Sequence, residues 1–96
     1  MAETPPSVVD SRVSFVAFLY SLASSAAVHF GDVPDPTTGE KRAPNLEQAA
    51  HVIDVMVMME QKTRGNLTNE ERQFLEQALY ELRLRFVAVK GAGGRP

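Results

Sequence analysis

Glu47, His51 and Asp54 stand at spacings of four and three residues. On a helix those spacings share one face, and an imidazole flanked by two carboxylates could begin a metal site. Zinc would need further strong ligands, and only His29, Asp32 or Asp35 could add them. Without them the three residues form a solvated polar face in which Glu47 pairs with His51. His29, near the end of an apolar run, reads more simply as a favourable partner for a helix C-terminus. A metal-dependent binding or hydrolytic activity at Glu47, His51 and Asp54 is therefore an alternative reading, and no cofactor is expected.

Other chemistry has weaker support. Ser21, Ser24 and Ser25 lie inside the run "FVAFLYSLASSAAVHFG" with no G-x-S-x-G elbow around them, so their hydroxyls are expected to bond back to the preceding turn. The terminal "GAGGRP" follows a helical pattern with no helix after it, unlike a phosphate-binding loop. Asp32, Asp35 and Glu40 lack the alternate-position oxygen ligands and closing glutamate of a calcium loop. There is no cysteine, which removes disulfides, thiolate ligands and a thiol nucleophile, and agrees with a cytoplasmic setting. Arg83, Arg85, Lys90 and Arg95 could meet phosphates, but Glu81 is within i,i+4 reach of Arg85 and no aromatic platform accompanies them. Nucleic acid is a disfavoured partner.

These residues have to be positioned by helices. The chain has 96 residues, 44% hydrophobic and 23% charged, a globular composition adequate for one thin core. The expected organisation is a flexible N-terminus over 1–9, one helical domain over 10–90 and a flexible glycine-rich tail over 91–96. The first helix is expected from an N-cap at Asp10 or Ser11 to Gly31. The second opens on Asn45 with Gln48 as its capping-box partner and runs to Arg64, where Gly65 stops it. Thr68 and Glu71 form a second capping box, and the third helix reaches about Val89. The connection "GNL" forces the second and third helices to fold back on each other, with Leu67 covering the turn.

The loop "GDVPDPTTGEKRAP" carries three prolines and is long for so small a domain. Asp32, Pro34, Asp35 and Pro36 are its candidate site residues, and Asp35 between two prolines is either an exposed acidic knob or the centre of a rigid turn.

The run over residues 15–31 carries no formal charge. Its flanks lack the basic n-region of a secretory signal. It contains several serines and a histidine and has no basic cluster to fix a topology, so a membrane span is disfavoured. A helix apolar all round belongs in a core, so the first helix is expected to be the buried centre, with peripheral membrane attachment through it as a further alternative. On the third helix, Leu75, Ala78, Leu79, Leu82, Phe86 and Val89 make one stripe, and Tyr80, Leu84 and Val87 make a second on roughly the other side. Three helices with this much apolar surface exceed what one chain can cover. The expectation is an all-α, three-helix antiparallel bundle completed by dimerisation, with Tyr80, Leu84, Val87, Phe15 and Leu19 at the interface. The competing expectation is that the proline loop of the same chain covers the second stripe.

The charges are unevenly placed. Residues 1–60 hold three basic and eight acidic side chains, the remainder seven basic and four acidic, so the halves carry about −5 and +3. Such a chain could attract copies of itself or a polyanion, although acids near helix starts and bases near a chain end account for the pattern more simply.

The stretches "FLYSLASSAAVHFGDVPDPTTGE", "NLEQAAHVIDVMVMMEQKTRGNLTNEE" and "LYELRLRFV" resemble the small bacterial proteins grouped as domain of unknown function 1844. The resemblance implies a bacterial, cytoplasmic protein and supplies no catalytic residue, ligand or partner. The reading from the residues is thus a non-enzymatic, self-associating structural or interaction module.

Overall fold

A computed structural model describes residues 14–93, with side chains to Gly91. They form three helices, α1 (Phe15–Phe30), α2 (Leu46–Lys62) and α3 (Asn69–Gly93), each packed on both of the others as an all-α three-helix bundle. The flexible segment expected over 1–9 and the caps expected at Asp10 or Ser11 lie outside the described residues. Ser14 caps α1: its Oγ accepts from the Ala17 amide at 3.0 Å, satisfying a first-turn donor that the helix leaves unpaired.

The ends of the helices follow from local chemistry. After α1 the Gly31 amide donates to the Val28 carbonyl and the Asp32 amide to that of Ala27, a Schellman closure with Gly31 left-handed at φ 82°. Asn45 caps α2, its Oδ1 accepting from the Gln48 amide at 3.1 Å. The capping box expected there is only half made. The Asn45 amide donates to the His29 carbonyl at 2.6 Å, which ties the start of α2 to the last turn of α1. The second box is complete: the Glu71 amide donates to Thr68 Oγ1 at 3.1 Å and the Thr68 amide to Glu71 Oε1 at 2.9 Å. Left-handed Gly65 turns the chain between α2 and α3, and half-buried Leu67 packs on the core. α3 extends beyond Val89 to Gly93, so residues 91–93 are helical rather than part of a tail.

The core is built from Leu19, Ala26 and Phe30 of α1, Ala49, Val52, Ile53 and Met56 of α2, and Leu75, Leu79, Leu82 and Val89 of α3. Ala26 and Ala49 are wholly buried, and their small side chains let neighbouring backbones approach. The expectation that α1 is the buried centre is corrected here. Only three of its residues are buried, while Phe18 is 46% and Tyr20 65% exposed. With two neighbours, a helix that is apolar all round must turn one side outward.

Gly31 is where the connecting loop comes back against α1. A Cβ there would sit 2.7 Å from the Arg42 carbonyl oxygen, whereas one on Gly39, also left-handed, would meet nothing. In urea denaturation, Gly39→Ala should lose about 1–2 kcal/mol from backbone conformation alone. Gly31→Ala should lose clearly more, because it must also displace the returning strand of loop. Equal losses would mean that the loop is not held there.

Candidate functional site

Glu47, His51 and Asp54 all lie on the exposed face of α2. Among the described residues, no group of three or more histidines and carboxylates is placed to hold a metal ion. One row on one helix supplies ligands from a single direction, and the loop acids that could have closed the site are engaged elsewhere. The serines behave as local helix chemistry dictates: Ser21 Oγ donates to the Phe18 carbonyl at 2.7 Å. Ser25 Oγ lies 3.4 Å from His29 Nε2, but the buried Nδ1 of His29 has no hydrogen-bond partner. The pair therefore lacks the third group that orients a catalytic imidazole.

The loop acids are structural. Asp35 is only 4% exposed, so it is the centre of the turn and not a projecting knob. Its Oδ1 accepts from the Thr37 amide at 2.8 Å and the Thr37 hydroxyl at 2.6 Å, and its Oδ2 meets Arg42 at 2.5 Å. Its amide donates to the Glu40 carbonyl, and its own carbonyl accepts from Thr38 and Gly39. Pro34 and Pro36, both exposed, flank this knot and restrict its backbone. Asp32 grips Arg85 of α3 with both carboxylate oxygens, Arg85 Nε donating to Oδ2 at 2.8 Å and Nη2 to Oδ1. This replaces the expected Glu81–Arg85 pair, since Glu81 accepts from Gln77 Nε2 at 2.7 Å. The two ends of the loop are thus fixed, one to its own arginine and one to the third helix.

Between α1 and this loop runs a groove of about 480 Å³, floored by Ser21, Ser24, Ser25 and Val28 and walled by Pro36 and Arg42. It is an apolar trough with hydroxyls in its floor. The Arg42 guanidinium at its edge is already engaged by Asp35.

A further open surface is on α3. Tyr80, Leu84 and Val87 are 60%, 54% and 67% exposed, and the proline loop leaves them uncovered. Beside them α2 and α3 enclose a second groove of about 390 Å³, with Ala50, Ile53, Phe86 and Val87 inside and Asp54 and Arg83 along it. Of the two α1 residues expected at the interface, Phe15 is half-buried. Leu19 is wholly buried in its own chain's core and offers no surface to a partner.

The hydrogen bonds from Thr37, then the Arg42 charge, hold the Asp35 carboxyl below its ordinary value of 3.8, against the opposing effect of burial. A carboxyl lowered by folding stabilises the fold above its unfolded pKa, and that contribution disappears as pH falls through the folded one. In chemical denaturation, the stability gap between the parent and Asp35→Asn should be full at neutral pH and shrink below pH 3.8. A gap that stays constant to pH 3 would show that the charge of Asp35 does not hold the loop.

No helix among the described residues is long and apolar enough to cross a membrane. No curated protein and no solved structure matches the chain. The family model described as Domain of unknown function (DUF1844) matches residues 12–88, which take in α1, α2 and all but the last residues of α3, and the chain belongs to that family.

Proposed function

We propose that the protein is a non-enzymatic helical module that self-associates in the bacterial cytoplasm and acts through protein surfaces. The observation that carries this reading is the solvent-facing stripe of Tyr80, Leu84 and Val87 on α3. Large apolar side chains repeated at helical spacing on an outer face are what a second helix would cover. The intrachain alternative has lost its support, because the proline loop is pinned at the end of α1 and on Arg85 while the stripe stays open.

Magnitudes limit what the stripe alone could do. Fully burying side chains of this size is worth about 1.5–3 kcal/mol each, less where they are already partly covered. Six such side chains from two copies give a gross gain on the order of 10 kcal/mol, comparable with the roughly 4–15 kcal/mol cost of association. A stable dimer would need more surface than the stripe, and the adjoining α2–α3 groove is the nearest supply.

Leu84→Glu places a charge at the middle of this surface. Light scattering behind a sizing column should report the 10.5 kDa monomer mass for the variant and a larger particle for the parent, with equal helicity by circular dichroism. An unchanged particle mass would place the association on another surface.

A further inference from the structure

Given self-association through α3, we infer that two copies pair with their α3 helices antiparallel about a two-fold axis between residues 83 and 84, beside Leu84, each Tyr80 ring entering the α2–α3 groove beside Val87 of the other copy. Three independent features point to this arrangement.

The first is spacing. A two-fold contact must be self-complementary, each residue meeting on the other copy the residue that meets it. When the stripe is read against itself in reverse about a point between residues 83 and 84, Tyr80 falls opposite Val87, and each Leu84 lies within half a residue of the axis beside its counterpart. A parallel pairing would instead set the two bulky Tyr80 rings against each other and leave the grooves unfilled.

The second is shape and polarity. The groove beside Val87 measures about 390 Å³ and is apolar where Ala50, Ile53 and Phe86 line it. That suits an aromatic ring, whose hydroxyl still needs a polar partner once buried. Asp54, on the same groove, supplies an acceptor.

The third is charge. Between Asn69 and Glu81, α3 carries Glu70, Glu71, Glu76 and Glu81 against Arg72 alone; from Arg83 onward it carries Arg83, Arg85 and Lys90 and no acid. Antiparallel packing sets each acidic half on a basic half and opposes the helix dipoles, whereas parallel packing sets like against like. Arg85 is already engaged by Asp32, which leaves Arg83 and Lys90 to act. In the register that pairs residue 80 with 87, residue 76 lies across from 91. Glu76 and Lys90 are about 40° apart around the helix, so they share a flank, and the two-fold brings that flank of each copy together. Glu76 of one copy therefore adjoins Lys90 of the other. Arg83 approaches its own counterpart near the axis, and the Asp54 carboxylates along the same grooves offset that repulsion.

The absence of native cysteine makes a direct test simple. Cysteine is placed singly at positions 80, 84 and 87, all exposed, in the full chain under mild oxidation. Leu84→Cys should cross-link to itself, while Tyr80→Cys and Val87→Cys should cross-link only when mixed with each other. Self-cross-linking at all three positions would mean a parallel pairing and would overturn the inference while leaving self-association through the stripe intact. A dimeric mass with no cross-link at any position would also overturn it, by moving the contact off α3. A monomeric parent protein would remove the proposed function itself. Independently, Glu76→Lys and Lys90→Glu should each weaken dimerisation several-fold and the double variant should recover it; failure to recover would contradict the register.

Discussion

A helix in a three-helix bundle has two neighbours and three sides. Everything distinctive about this protein follows from how its apolar residues are distributed against that limit. α1 has no charged side chain from Phe15 to Phe30, yet the bundle buries only Leu19, Ala26 and Phe30 of it. α3 satisfies its core with Leu75, Leu79, Leu82 and Val89 and still carries Tyr80, Leu84 and Val87 outside. Phe18 and Tyr20 of α1 are exposed too, but the surplus of α3 is not scattered, as single exposed hydrophobics on ordinary proteins are. It runs along one face of α3 and borders a groove that continues onto α2.

The long loop, which by length alone invites a functional reading, is consumed in holding the ends of the helices together. Asp35 ties the turn to itself and to Arg42, Asp32 clamps Arg85, and the Asn45 amide bonds to the carbonyl of His29. The loop acids Asp32 and Asp35 are therefore engaged within the fold, while the stripe on α3 is left open.

The parts of the fold legible in the sequence are those decided within a few residues. The Thr68–Glu71 box, the Asn45 cap and the left-handed glycines at 31 and 65 each rest on a side chain or φ angle that acts within one turn. The Asp32–Arg85 clamp was hidden because it spans 53 residues, and Glu81 offered Arg85 a nearer but unused partner. The missing half of the Asn45 box has the same origin, since its amide is taken by the distant His29. Glycine at 91 suggested an end to α3 that the structure postpones, the cost of one helical glycine being about 0.5–1 kcal/mol and Val89 anchoring the last turns. For the site, the second stripe on α3 was readable from periodicity alone. The burial of Leu19 was not, because a helix apolar on every side does not reveal which side faces its own core.

In the proposed dimer, the uncovered face of α3 is closed by a second copy of the chain. Sedimentation equilibrium of the unmodified protein, without detergent and across a wide concentration range, tests it most directly. A particle of twice 10.5 kDa that dissociates only on dilution is the predicted result, and a monomer at every concentration would contradict it.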